Sequence, residues 1–213
     1  PLMCVILIAR GLHPTWPVLI AANRDEFRSR PSTGPQVLLE DPRAIGGVDL
    51  KAGGTWMGAT AGGFFAGLTN QRTFHPAAPD RRSRGEVVRG ALQRADVEAV
   101  QAWLATLRPD DFNPFNLLFG TADDLRVAYA WPGEPAVRFE PVPLGLHVLP
   151  NDRLNSPAFP KVARARALVG DAPGLTILAP QAPEARWYPR SYKAPLREHG
   201  EALESALAHV AAG

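Results

Sequence analysis

The chain has 213 residues, of which 46% are hydrophobic and 21% charged, and a formal net charge of +2, so it is long enough for one well-buried domain and nothing points to nucleic acid. Its single cysteine excludes an internal disulfide framework and multi-cysteine metal sites, and favours a reducing, cytoplasmic location. The longest apolar runs are shorter than the roughly 20 residues of a membrane helix, so we expect no membrane insertion.

The first third of the chain predicts β-strands. Short apolar runs separated by Gly, Pro and Asp clusters are typical of strands. One longer stretch, "TWMGATAGGFFAGLT", predicts a hairpin that turns at Gly62 and Gly63. The predicted strands are "CVILIA" (4–9), "PVLIAA" (17–22), "QVLLE" (36–40), "TWMGAT" (55–60) and "FFAGLT" (64–69).

Between Arg84 and Leu107 the apolar residues recur with a helical period, which predicts two amphipathic helices or one helix broken near Asp96. Ser83, followed three residues later by Glu86, predicts a capping box at the start. The basic run "DRRSRGE" (80–86) could be an anion-binding patch, but we interpret it as a solvated helix start.

A second block of strands and helices follows. Blocks of strands that alternate with blocks of helices predict an α+β architecture in which antiparallel sheets are covered by helices. Without internal repeats or low-complexity segments, we expect a single domain over residues 1–213. The predicted strands are "NLLFG" (116–120), "LRVAYA" (125–130), "AVRFE" (136–140) and "GLHVLP" (145–150), and the predicted helices are Phe159–Val169 and Pro195–Ala211.

Two interpretations of Cys4 remain open from its position alone. Removal of Met3 would leave Cys4 with a free α-amine of pKa near 7.7–8.0, able to act as the base for its own thiol. Pro1 and Leu2 would then be a cloning remnant or a short propeptide. Alternatively, Cys4 is a small buried hydrophobe at the start of a strand.

The polar stretch "NRDE" (23–26) directly follows the strand "PVLIAA" and favours the first interpretation. A guanidinium at Arg24 could lower the pKa of the Cys4 thiol, and a carboxylate at Asp25 could hold the α-amine in line.

Seven sequence blocks, in order, resemble the NRDE proteins, also called the transport and Golgi organisation protein 2 family. The resemblance covers residues 4–165 and implies the N-terminal nucleophile hydrolase fold, a four-layer α/β/β/α sandwich with two mainly antiparallel sheets. Its layout is similar to that of choloylglycine hydrolases and penicillin V acylases, which cleave a linear amide with an N-terminal cysteine. The blocks are "MC" (3–4), "NRDE" (23–26), "GGTWMG" (53–58), "AGLTNQR" (66–72), "SRGEVV" (83–88), "FNLLFG" (115–120) and "GLHVLPNDRLNSPAFPKV" (145–162).

The resemblance implies a set of catalytic residues. Cys4 would be the nucleophile and its freed amine the base, with Arg24 and Asp25 beside the thiol. The side-chain amide of Asn70 would help to form the oxyanion hole, where such a donor is worth about 3–4 kcal/mol in the transition state. Asn151 would orient the α-amine or the substrate.

Substrate contacts are expected from Asn23, Glu26 and Trp56. Relatives also carry a C-terminal strand whose arginine completes the site. The nearest match here is "YPRSY" (188–192), which makes Arg190 the candidate, although residues 166–213 otherwise diverge.

These residues predict hydrolysis or acyl transfer at a linear amide of a small molecule, without a metal or cofactor. The alternative is a non-enzymatic protein on the same scaffold that binds or traffics haem, lipid or acyl chains, because the family is also associated with haem handling and lipid homeostasis. Haem would then be a ligand only.

Overall fold

The computed structural model describes residues 4–24, 26, 29–73 and 76–169. In these ranges the chain forms ten strands, three α-helices and a 3-10 turn at Pro109–Asp111. The strands are β1 (Val5–Arg10), β2 (Val18–Asn23), β3 (Gln36–Glu40), β4 (Arg43–Gly46), β5 (Met57–Thr60), β6 (Phe65–Asn70), β7 (Phe115–Gly120), β8 (Leu125–Ala130), β9 (Arg138–Pro141) and β10 (Gly145–Leu149); the helices are α1 (Arg84–Arg94), α2 (Val97–Ala105) and α3 (Pro160–Val169).

The strands form two antiparallel sheets. One has three strands in the order β10-β1-β2, and the other has seven, from β3 to β9 in chain order. The predicted hairpin is β5–β6, with Gly63 at φ 84° in its turn. In the smaller sheet, Arg10 at the far end of β1 donates to the carbonyls of Ala122, Asp123 and Val142.

Three apolar clusters separate four layers. Val88 and Leu92 of α1 pack with Leu117 of β7 against one face of the larger sheet. Ile6 and Ile8 of β1 pack between the two sheets, with Leu118, Val127 and Leu149 among their neighbours. Leu7, Val148, Phe159 and Val162 join α3 to the outer face of the smaller sheet. The predicted α+β fold, an α/β/β/α sandwich, is confirmed.

The helix boundaries follow from their caps. Ser83 caps α1 by accepting from the Gly85 amide. The Glu86 carboxylate pairs with Arg82 at 2.8 Å and, among the described residues, does not accept from the Ser83 amide, so the predicted capping box is only half present. Asp96 caps α2 by accepting from the Ala99 amide, so the helical stretch is two helices separated at Asp96.

Three predictions fall outside the described residues: the helix Pro195–Ala211, the stretch 188–192 with Arg190, and Asp25. None of the helices that the structure describes has the length and hydrophobicity needed to cross a membrane.

Candidate active site

The register of the smaller sheet places Cys4 between two of the predicted site residues. Val5 pairs with Asn23 of β2, so the residue before it, Cys4, lies across from Arg24. Ile6 pairs with Leu149 of β10. When this antiparallel register is extended by two residues, past the end of β10, Cys4 lies across from Asn151. Because β1 is the central strand, residues distant in sequence flank the cysteine on both sides.

Asn151 links this sheet to the end of β6. Its Nδ2 donates to the backbone carbonyl of Asn70 at 2.6 Å, and its own carbonyl accepts from the Arg72 amide at 2.8 Å. The side chain is 4% exposed, and within the described ranges its Oδ1 has no hydrogen-bond partner. Asn151 therefore presents a buried acceptor on the segment that follows β10, across from Cys4.

Asn70 stands at the end of β6, where Phe115 of β7 is its partner. Its carbonyl is used by Asn151, whereas its half-buried side-chain amide makes no hydrogen bond within the described part of the chain. The amide thus retains donor capacity, as the predicted oxyanion role requires.

Asn116 holds these segments together and was not anticipated from the sequence. Its Nδ2 donates to Thr69 Oγ1, the Pro150 carbonyl and the Asp152 carbonyl at 3.0, 3.2 and 2.7 Å. Thr69 Oγ1 donates to the same Pro150 carbonyl at 2.9 Å. Strand β7 is buried at every position, and a side-chain amide there is costly unless it forms hydrogen bonds. The single polar residue in the apolar run "FNLLFG" was therefore the sequence signal for a bonded, structural Asn116.

A four-residue charge network lies on the other side of Cys4. Arg24 Nη2 contacts Glu26 Oε2 at 3.5 Å and Asp49 Oδ2 at 3.3 Å. Arg30 contacts the same two carboxylates, at 3.4 Å and 2.7 Å. Glu26, expected at the substrate, is therefore also engaged in ion pairs, and Arg30 and Asp49 are additions to the predicted set.

Asp49 is positioned by its own loop. Its Oδ1 accepts from the amides of Lys51 and Ala52 at 3.0 and 3.2 Å, which leaves Oδ2 for the two guanidinium groups. Its backbone amide donates to the Gly54 carbonyl at 2.8 Å. An aspartate followed by a Gly pair was the signal in the sequence, but it indicates only a turn.

Arg84, the first residue of α1, also belongs to this region. Its Nη1 donates to the Pro114 carbonyl at 3.3 Å, which also accepts from the Gln71 amide beside Asn70. Burial, reinforced by Arg30, lowers the pKa of Arg84, whereas negative charge on Cys4 and Glu26 acts in the opposite direction.

The interpretation of "DRRSRGE" as a solvated helix start is therefore wrong for Arg84. Arg82 and Glu86 do form a half-exposed ion pair, but Arg84 is half-buried against the start of β7. A helix-start pattern cannot separate the two arginines, because which one turns inward depends on the sheet that lies beneath the helix.

The loop that carries Asp49 packs directly on α1. A Cβ placed on Gly85 would lie 3.1 Å from Gly54 Cα and 3.1 Å from the Thr55 carbonyl oxygen. Trp56 follows this loop; it is half-buried, and its carbonyl accepts from the Leu68 amide, two residues before Asn70. The predicted substrate residue Trp56 thus lies at the same end of the β5–β6 strand pair as Asn70.

Cys4 itself is buried, with 8% exposed, and Asn23 ends the strand beside it. Its cross-strand neighbours, Arg24 and Asn151, are both polar, so the thiol does not lie in a purely hydrocarbon environment. The described residues contain no group of three or more His, Cys, Asp or Glu side chains arranged to hold a metal ion.

The family model and the most similar curated proteins point to the same family. The Transport and Golgi organisation 2 family matches residues 3–175. The Transport and Golgi organization 2 homolog of Mus musculus is 32% identical over 171 residues, and the Homo sapiens homolog is 33% identical over 174. Each match covers 73% of this chain and 59% of the relative, so the chain spans less than two thirds of their length.

The fold is similar to that of a solved amidase structure. The Caenorhabditis elegans N-acylethanolamine-hydrolyzing acid amidase ortholog aligns with a TM-score of 0.50 over 68% of this chain and 69% of that chain. The two sequences are 14% identical in the alignment, so the likeness concerns the fold alone.

Proposed function

The chain belongs to the Transport and Golgi organisation 2 family, and from this premise and the site geometry we propose that it hydrolyses, or transfers the acyl group of, a linear amide of a small molecule. Cys4 is the nucleophile. The observation that carries the proposal is the register of β1, which sets Cys4 across from Arg24 and from Asn151, whose buried Oδ1 has no hydrogen-bond partner in the described ranges.

The reaction uses groups of the chain alone, so it needs no metal or cofactor. Cleavage of the chain before Cys4 frees its α-amine, which takes the thiol proton. The thiolate sulfur bonds to the amide carbonyl carbon, and the oxyanion accepts a hydrogen bond from the Asn70 amide. The ammonium then protonates the leaving nitrogen as the C–N bond breaks, giving a thioester.

Water completes the cycle. The amine removes a proton from water, the hydroxyl bonds to the thioester carbonyl, and the acid leaves as the C–S bond breaks and sulfur regains its proton. Asn151 Oδ1 supports both halves by accepting from the α-amine, which fixes the direction of the nitrogen lone pair. Its burial and lack of another partner in the described ranges suit that role.

Chemistry and fold both favour an amide as the bond that is cleaved. A thiolate with an adjacent amine is an acyl-transfer pair. The structurally similar Caenorhabditis elegans protein is named for hydrolysis of N-acylethanolamines, which are linear amides. We propose the same class of bond for this chain, and a cytoplasmic location, where the thiol of its one cysteine stays reduced.

The test compares two forms of the protein, one beginning at Cys4 and one retaining Met3. Because Cys4 is the only cysteine, intact-mass spectrometry with a panel of N-acyl amides assigns any thioester to it. We expect stoichiometric acylation of the form with the free amine, at least 100-fold slower acylation with Met3 retained, and none in Cys4→Ala.

Equal, slow acylation of both forms would contradict the proposal. If both forms were acylated slowly and the protein bound haem or acyl chains tightly, a carrier function would replace hydrolysis. A ligand titration on Cys4→Ala would then show binding that does not depend on the thiol.

A further inference from the structure

The charges around Cys4 do not balance within the described residues. Arg24 and Arg30 each contact both Glu26 and Asp49, so two guanidinium groups are matched by two carboxylates. No carboxylate in the described ranges forms an ion pair with Arg84. This cation nevertheless loses hydration at the start of α1, where in the described ranges its guanidinium donates to the neutral Pro114 carbonyl.

Two independent connections bring Arg84 toward the cysteine. Pro114 O joins it to the Gln71 amide, and the preceding residue, Asn70, is bonded to Asn151 beside Cys4. On the other side, Gly85 rests on the Gly54 loop that carries Asp49.

We propose that Arg84 is the counter-ion of the Cys4 thiolate, a positioning residue outside the Asn–Arg–Asp–Glu stretch that keeps sulfur in its reactive form. This inference rests on the proposed function for its chemistry. The proton leaves sulfur for the α-amine, and the guanidinium stays protonated throughout. A desolvated cation is stabilised by a nearby anion, and the same attraction stabilises the thiolate relative to the neutral thiol.

Electrostatics support a position of Arg84 near Cys4. Burial lowers the pKa of Arg84, and negative charge on Cys4 acts to raise it. Other charged groups on the surrounding segments would also act on sulfur, so the experiment must isolate one of them. These groups are Arg24, Glu26, Arg30, Asp49, Arg72 and Asp152.

The test measures alkylation of Cys4 by neutral iodoacetamide from pH 5 to 10, which reports thiolate formation without any substrate. In Arg84→Gln we expect the midpoint of the rate profile to rise by about one pH unit and the rate at neutral pH to fall about tenfold. Arg84→Lys should restore most of the rate. Arg82→Gln is the matched control, because Arg82 pairs with Glu86 at the surface and should leave the profile unchanged.

An unchanged midpoint in Arg84→Gln would overturn the proposal. If that variant does not fold, Arg84→Met keeps an apolar stem of similar length and gives the same readout. A shifted midpoint in a protein that never acylates would sink the proposed amide chemistry and leave the counter-ion in place, so the two failures are distinguishable.

Discussion

The side-chain amide of Asn151 has two different roles in the site, one for its nitrogen and one for its oxygen. Nδ2 is committed to Asn70, whereas buried Oδ1 has no partner in the described ranges. An unsatisfied buried acceptor costs about 1–3 kcal/mol. That cost is tolerable if the acceptor orients the α-amine of Cys4 during catalysis.

We therefore expect Asn151→Ala to slow acylation of Cys4 by about 100-fold, because the amine loses its orienting acceptor. Intact-mass kinetics measure the rate. Asn113→Ala is the control: it removes the two bonds between Asn113 and Ala78, neither of which involves Cys4 or Asn151, and should lower stability without slowing acylation. Equal rates in the two variants would refute a role for Asn151.

Some of this residue-level picture was accessible from the sequence. The nearness of Cys4 and Arg24 follows from two strands joined as an antiparallel hairpin, which is a local arrangement. The inward turn of Arg84 was not accessible, because it depends on how α1 lies on a sheet whose strands come from elsewhere in the chain.

At the scale of elements, α1 meets the loop after β4 backbone to backbone. Gly54 and Gly85 have no space between them for a side chain. This contact fixes the start of the helix, and with it Arg84, against the loop that carries Asp49.

Gly85→Ala should destabilise the fold by about 1–3 kcal/mol, since its Cβ would press on the Gly54 and Thr55 backbones, which cannot rotate away. That cost exceeds the gain in helix propensity, about 1 kcal/mol at most. Denaturant unfolding measures the difference. Gly62→Ala, with its nearest contact at 3.8 Å, is the control and should be neutral or slightly stabilising; equal effects at both glycines would disprove the tight contact.

The strands were largely predictable, because most are apolar runs bounded by turn residues; "QVLLE" and "LRVAYA" match β3 and β8 end to end. Strand β4 was not predicted. It has four residues, its buried positions are Ala44 and Gly46, and its one β-branched residue, Ile45, is exposed. Such a strand has little hydrophobic signal, and its place is set by pairing with β3 and β5.

At the scale of the whole molecule, Tyr129 ties the two sheets together. It lies on β8 within the apolar layer between the sheets, and its hydroxyl oxygen accepts from the Leu154 amide, beyond β10, at 3.1 Å. Burial raises the pKa of Tyr129 well above its ordinary value, since a phenolate there would lose hydration.

The native protein should therefore lose stability at alkaline pH. The unfolded chain ionises this tyrosine near pH 10 and the folded chain does not, so the stabilisation is complete below pH 10 and declines as pH rises above it. We expect the free energy of unfolding to fall by up to about 1.4 kcal/mol per pH unit from this group.

Urea unfolding between pH 9 and 11 measures the slope, with Tyr129→Phe as the comparison. That variant loses the bond to Leu154 and is less stable at neutral pH, but its alkaline slope should be shallower than that of the wild type. Parallel slopes would contradict the assignment.

The bonds of Arg10 have a consequence for where the thiol can lie. Strand β1 carries buried apolar residues on both faces, Ile6 and Ile8 on one and Leu7 on the other, so sliding it by one position would still bury hydrocarbon. The guanidinium of Arg10 at its far end is held by carbonyls of the loop between β7 and β8, and this contact favours one of those alignments. Cys4 lies about 20 Å from this anchor, so inserting or deleting one residue in β1 should place a different residue across from Arg24 and Asn151.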